Sequence, residues 1–306
     1  MTERDLIAYT AGYIDGDGCL YMGKHFPKFS NYPNYEASLQ ILSVRKAPLV
    51  LFKNTWGGSI RSKKTKPSHK TPFVWGIKGK KAFQLLQRCL PYLVDKEERA
   101  HVFIEMRAHI QANNFQQVSQ EGRAVRDDLI SKNRAFTNQS QEITKEMIQE
   151  SENRKMTIPV QEIDYPYLAG LIDSEGCFRV KKWKPKARPR SVYSIHLEIG
   201  NSKFPIIEWL IARFGGSISY AKGAGRKKPA AIWSLSSKSL NAILPKIYPH
   251  LISKKEVCKK LMDFQETIIP NGGDRHSQEF NELFEKTVRT REKIVEEIHK
   301  LNAKGS

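Results

Sequence analysis

Two short segments carry paired acids at matched spacing. Asp15-Gly16-Asp17-Gly18 stands near the start of the chain, and Asp173-Ser174-Glu175-Gly176 stands 158 residues later. Each pair ends a stretch that reads as a helix with small residues on it, Ala8, Ala11 and Gly12 in the first and Ala169 and Gly170 in the second. Small faces let two helices approach closely. A carboxylate at a helix C-terminus is disfavoured by the macrodipole. Two such ends side by side would concentrate negative charge inside a basic protein, an arrangement that wants a hard cation with oxygen ligands, Mg2+ being the natural one. Asp15 and Asp173 read first as local turn or cap residues. Asp17 or Glu175 alone would read as a solvated turn acid, but the recurrence on two small-faced helices makes them candidate cation ligands.

The same offset runs through the chain. It carries Leu39 to Leu197, Gly57-Gly58-Ser59-Ile60 to Gly215-Gly216-Ser217-Ile218, Trp75 to Trp233, Pro91 to Pro249 and Lys96 to Lys254. The period is far above that of a solenoid unit, so two copies of one domain packed about a pseudo-twofold axis are expected. We divide the chain into a first half, 1–133, a linker, 134–161, and a second half, 162–306. The linker is rich in Gln, Glu, Asn and Lys, with Glu142, Glu146, Glu150 and Glu152, and reads as a solvated, partly helical connection.

Each copy opens with a helix. Thr2 and Asp5 form a capping-box pattern, while Asp164 is the expected cap of the second, with Pro166 in its first turn. Both helices are expected to stop at the glycine-containing acidic turn. Alternating strands follow, as in Cys177–Lys181 and Ser194–Ile199, then a short helix, a second hairpin opened by Gly-Gly, and further helices. The class is α+β, with helices on one face of each antiparallel sheet. The other face would offer Tyr21, Ser38, Gln40, Arg61 and Lys63 from the first copy, and Arg179, Lys181, His196, Glu198 and Ser219 from the second. These types read base edges in a major groove, although a solvated sheet face would be equally polar. The basic runs Lys63–Lys66, Lys181–Lys186 and Arg226–Lys228 suit phosphates.

Composition agrees. Lys and Arg total 51 against 32 Asp and Glu, a net charge of +19, which points to a polyanionic partner. Hydrophobic residues at 40% exclude a disordered chain. No apolar run approaches the roughly 18 residues of a membrane span, and the polar N-terminus is unlike a secretory signal. Cys19, Cys89, Cys177 and Cys258 show no CxxC spacing, so neither a zinc site nor a disulfide framework is expected, and an intracellular, reducing compartment is, whether bacterial cytoplasm or organelle matrix.

The segments Thr10 to Gly18 and Leu168 to Gly176 resemble the LAGLIDADG motif of homing endonucleases, the second being close to consensus; the first departs with Thr10 and Tyr13. The duplicated body and basic charge are similar to the family's single-chain, two-motif members, over nearly the whole chain outside the linker. The resemblance implies two pseudo-symmetric αββαββα halves forming a saddle of antiparallel strands over a long DNA site. It implies that Asp17 and Glu175 bind divalent metal ions, each near one scissile phosphate. By the same resemblance Lys96 and Lys254 match the basic residue after the third helix of each half, where it orders water and offsets transition-state charge. Arg45 and Lys203 fall at the polar position ending the second strand, with a similar role.

The leading functional expectation is a site-specific, divalent-metal-dependent endonuclease of intron homing, acting as a monomer on double-stranded DNA. Mg2+ would be its cofactor and Ca2+ a non-productive substitute. The alternatives are a maturase that binds its host intron RNA, and a DNA-binding regulator that does not cut.

Overall fold

The computed structural model describes residues 1–29, 32–63, 71–112, 119–138, 143–184, 191–223, 229–267 and 278–305. The first half runs α1 (Glu3–Asp17), β1 (Gly18–His25), β2 (Asn34–Ser43), α2 (Lys46–Trp56), β3 (Ser59–Ser62), β4 (Phe73–Lys78), α3 (Gly79–Cys89), a 3-10 turn (Leu90–Tyr92), α4 (Glu97–Ala112) and α5 (Gln120–Asn138). After α6 (Lys145–Asn153) the pattern returns as α7 (Asp164–Glu175), β5 (Gly176–Trp183), β6 (Val192–Asn201), α8 (Phe204–Phe214), β7 (Ser217–Ala221), β8 (Ala230–Ser236), α9 (Ser237–Ile247), α10 (Lys255–Glu266) and α11 (Gln278–Gly305). The sheets have matching strand orders, β1-β2-β4-β3 and β5-β6-β8-β7, with every pairing antiparallel. The α+β duplication expected from the sequence is the observed fold. Among the described residues no helix is long and apolar enough to cross a membrane.

Period-2 alternation assigns the two faces of each sheet. Leu20, Leu39, Ile41 and Trp75 point inward in the first half, as do Phe178, Leu197, Ile199 and Trp233 in the second, and all are buried. The Gly-Gly pairs have a conformational reason. Gly57, Gly58, Gly215 and Gly216 all have positive φ, between 67° and 92°, where a Cβ is strained. The turns they make bring the Gly57 and Gly215 carbonyls to the buried indoles of Trp75 and Trp233, which donate to them at 2.9 and 2.6 Å.

Three local expectations change. Thr2 and Asp5 do form a capping box. Asp164, however, is the first residue of α7 rather than its cap, because its carboxylate turns back to accept from the Gln161 amide at 2.8 Å and faces Arg213. Neither α1 nor α7 ends in a glycine turn. Gly18 and Gly176 are extended, with φ −73° and −72°, so helix passes directly into strand. Glycine is needed there for clearance: a Cβ would lie 2.5 Å from the Ile14 carbonyl oxygen at Gly18 and 2.8 Å from the Ile172 Cα at Gly176. Finally, the stretch 134–161 holds the end of α5 and all of α6. Its amides at Met156 and Ile158 donate to the Ile211 and Ala212 carbonyls at the end of α8, so the connection is docked on the second half, on the last turn of that helix.

The halves meet along α1 and α7. A Cβ on Gly12 would lie 2.0 Å from the Tyr167 carbonyl oxygen, and one on Gly170 would lie 2.0 Å from that of Tyr9. The helices are therefore in backbone contact at two symmetric points, which brings their C-terminal ends together.

Candidate active site at the helix seam

Asp17 closes α1 and Glu175 closes α7. A Cβ on Gly16 would strike the Ser174 hydroxyl at 2.0 Å and approach the Glu175 Cγ at 3.2 Å, a measure of how near the two ends lie. Burial pushes the Asp17 carboxyl up to about 6, and the charge of Glu175 pushes the same way, while Lys96 and Lys254 oppose it. Among the described residues no three or more His, Cys, Asp or Glu side chains group as a metal cage. The donor set is thus two adjacent carboxylates. It fits a hard divalent cation that would relieve both the burial and the mutual repulsion and would take its remaining ligands from backbone, water or phosphate.

The acids two residues earlier are structural, and more than turn residues. Asp15 is 1% exposed and accepts from the Val94 amide at 2.7 Å, the Lys96 amide at 2.9 Å and the Tyr167 hydroxyl at 2.8 Å. Asp173 is 2% exposed and accepts from the amides of Ile252, Ser253 and Lys254 at 2.7, 3.1 and 2.8 Å, and from the Tyr9 hydroxyl at 2.8 Å. Each acid therefore fastens the loop before α4 or α10 to its helix. Those loops carry the two lysines. Lys96 Nζ donates to the carbonyls of Ile14, Asp15 and Gly16, and Lys254 Nζ to those of Ile172 and Asp173. An ammonium on the last carbonyls of a helix offsets the negative end of its dipole. Burial pulls both lysines down, Lys254 to about 8, with Asp15 and Asp173 respectively opposing the fall.

Arg45 and Lys203 do not end their strands. Each lies two residues beyond, as the residue preceding α2 or α8, because β2 stops at Ser43 and β6 at Asn201, whose side chains accept the Arg45 and Lys203 amides. Arg45 crosses the seam and donates to the Ser253 carbonyl at 2.9 Å, on the loop that carries Lys254. Lys203 instead reaches the Phe136 carbonyl at the end of α5, at 3.4 Å. The two matched positions thus have unlike surroundings.

On the outer sheet faces the register lines the predicted residues into rows. Tyr21 pairs with Ser38 and Ser38 with Lys78; Gln40 pairs with Cys19 and with Gly76, which pairs with Ser59; Arg61 pairs with Val74. In the second half Arg179 pairs with His196 and His196 with Ser236, Lys181 with Ser194, Glu198 with Cys177 and Ser234, and Ser219 with Ile232. Ser38 is a correction: it has the outward parity, yet it is 4% exposed, covered within the row and bonded by the Gln40 amide at 3.3 Å. Glu198 holds two of the predicted cations, Lys181 at 3.0 Å and Arg179 at 3.3 Å, and Ser194 bonds the His196 ring at 2.6 Å. Lys63 leaves β3 exposed, its amide donating to Pro72. Sequence reasoning missed Lys78, Ser59, Ser217, Ser234 and Ser236 on these faces, which parity within β3, β4, β7 and β8 would have found. It also missed Tyr9 and Tyr167, which stand at the 158-residue offset. Of the basic runs, 64–66, 185–186 and 226–228 lie outside the described residues. Lys182 turns to the helical side, against Glu292 at 2.6 Å, and so leaves the predicted phosphate-binding run.

Two antiparallel sheets of four strands are thus joined by the close-packed α1–α7 pair, which ends in two acids. Residues 168–268 match the family model described as LAGLIDADG endonuclease. Solved structures similar over almost the full length include I-SmaMI bound to uncleaved DNA target in the presence of calcium ions, at 16% identity and TM-score 0.65, covering 94% of this chain and 97% of that one. They also include the LAGLIDADG homing endonuclease I-GzeII in complex with its DNA target, at 16% identity and TM-score 0.63, covering 95% and 97%. The LAGLIDADG meganuclease I-AabMI bound to uncleaved DNA is similar at 18% identity and TM-score 0.61, covering 95% and 98%. No curated protein sequence matches the chain.

Proposed function

We propose that this protein is a site-specific, divalent-metal-dependent endonuclease of the intron-homing kind, acting as a monomer on a long, asymmetric stretch of double-stranded DNA. The observation that carries the reading is the placement of Asp17 and Glu175 side by side at the meeting point of two halves whose outer sheet faces carry unlike polar residues. Unlike faces on one chain suit an asymmetric duplex, and the +19 charge suits its phosphates. Asp17 and Glu175 would hold Mg2+, which when bound polarises water and neutralises charge on the scissile phosphate, with Ca2+ supporting binding but little turnover. Lys96 and Lys254 place an ammonium at each helix end, where it opposes the charge that develops on the phosphate. Arg45 adds a further, partly buried cation on the Lys254 side of the seam. Gln40, Arg61, Arg179, His196 and Glu198 present donors and acceptors to base edges. No observation on the described residues favours the RNA-binding maturase or the non-cutting regulator.

The test is cleavage of a supercoiled plasmid bearing the site made by joining the exons that flank the gene, in EDTA, Mg2+ or Ca2+. Wild type should linearise the plasmid in Mg2+ alone, and Asp17→Asn with Glu175→Gln should bind the duplex and leave it closed. Linearisation in EDTA, or by the double variant, removes these acids from the chemistry.

A further inference from the structure

The seam holds two phenols for which the proposed chemistry has no use. Tyr9 and Tyr167 are both buried, and each hydroxyl crosses to the opposite half, Tyr9 to Asp173 and Tyr167 to Asp15, both at 2.8 Å. We infer that they are positioning residues acting in trans: through the carboxylate it bonds, each tyrosine sets the loop bearing the other half's active-site lysine.

The geometry supports this link by link. Asp173 Oδ2 receives the Tyr9 hydroxyl together with the Ile252 and Ser253 amides, and Oδ1 receives the Lys254 amide. Lys254 is then tied at both ends to one residue, its amide to the Asp173 carboxylate and its ammonium to the Asp173 carbonyl. The first half repeats the arrangement, with Asp15 Oδ2 shared by the Tyr167 hydroxyl and the Val94 amide, Oδ1 taking the Lys96 amide, and the ammonium on the Asp15 carbonyl. A carboxylate turns freely about its last side-chain bond unless its oxygens are held. The phenol is the contact that comes from outside the half and fixes that rotation relative to the seam. Burial keeps both phenols protonated, so they donate throughout the accessible pH range. Their rings pack on aromatic neighbours, Tyr9 on Tyr13 and Phe52, and Tyr167 on Trp209 at 4.6 Å, contacts a phenylalanine would keep. The hydroxyl can therefore be removed with the packing retained.

The inference rests on the endonuclease reading, and two readouts separate them. The first is amide hydrogen exchange of the metal-free protein. Tyr9→Phe should speed exchange at Lys254 about tenfold and leave Lys96 unchanged, and Tyr167→Phe should do the reverse. The second is strand-resolved cleavage under single-turnover conditions, with Lys254→Met marking the strand that the second half serves. Tyr9→Phe should slow that strand about tenfold, with DNA affinity unchanged, although Tyr9 belongs to the first half; Tyr167→Phe should slow the other. Equal effects on both amides and both strands would mark the tyrosines as general seam packing and overturn the inference, as would no effect on either. Crossed exchange in a wild type that fails to cut would uphold the positioning and refute the endonuclease reading instead.

Discussion

Asp17→Asn should make the metal-free protein more stable, and only above a defined pH. The folded protein holds this carboxyl at about 6, against 3.8 for the free group, chiefly through burial and secondly through Glu175. A raised carboxyl pKa means that the stability present below about pH 4 is lost as pH rises through about 6. At about 1.4 kcal/mol per unit, carrying the charge at pH 7.5 costs the fold on the order of 2–3 kcal/mol, after discounting for the part of Asp17 that solvent reaches. Asparagine keeps the shape without the charge. Thermal melts in EDTA should show Asp17→Asn about 4–6 °C above wild type at pH 7.5, taking about 2 °C per kcal/mol for a chain of this size, and level with it at pH 4. Excess Mg2+ should reverse the order at pH 7.5, because binding to the native state alone stabilises wild type by mass action and the variant has lost a ligand. A variant less stable than wild type in EDTA, or a gap that ignores pH, would refute the claim that the two helix ends crowd unneutralised charge.

Other outcomes follow from the same geometry. Gly12→Ala and Gly170→Ala each drive a methyl into backbone of the opposite half, so urea denaturation should show a loss of roughly 3 kcal/mol for either; wild-type stability would deny the backbone contact. Lys96→Met should slow cleavage by about 100-fold while changing DNA affinity little, and should also lower stability by about 1 kcal/mol because the last carbonyls of α1 lose their ammonium. Equal losses of rate and affinity would demote it to a phosphate contact. Arg61→Ala should relax specificity at one base position by about 1–3 kcal/mol in a binding-site selection, whereas uniform weakening over all sequences would place Arg61 on phosphate.

The parts of this architecture that repeat were readable from residues. Asp17, Glu175, Lys96 and Lys254 emerge from one register offset, and the sheets from period-2 alternation. What stayed hidden depends on contacts that the repeat does not encode. Arg45 meets Ser253 across 208 residues while its counterpart Lys203 goes elsewhere, so no internal symmetry announces the contact. Ser38 has the parity of a readout residue and is covered because Gln40 folds onto it, a matter of side-chain reach rather than pattern. Gly18 and Gly176 suggested turns because glycine usually supplies an unusual φ; here it supplies space, and composition does not distinguish the two uses. Tyr9 and Tyr167 were visible as a matched pair, but a tyrosine beside an apolar helix motif reads as packing until its acceptor is known.

Across the 158-residue offset the seam and the sheet faces of this one chain match to different degrees. Along α1 and α7 the contact positions match in kind, Tyr9 with Tyr167, Gly12 with Gly170 and Asp15 with Asp173, and each meets a residue of the opposite helix across the seam. On the strands the same offset sets Tyr21 against Arg179, Ser38 against His196 and Gln40 against Glu198. A change at Gly12 has to be answered at Tyr167, so that line admits few independent substitutions, while among the described residues the strand-face positions pair within their own sheet. The molecule is thus built like a hinge plate with two panels: the joint is closely fitted, and each panel can be recut at its outer strand face without disturbing the joint or the acids at its end.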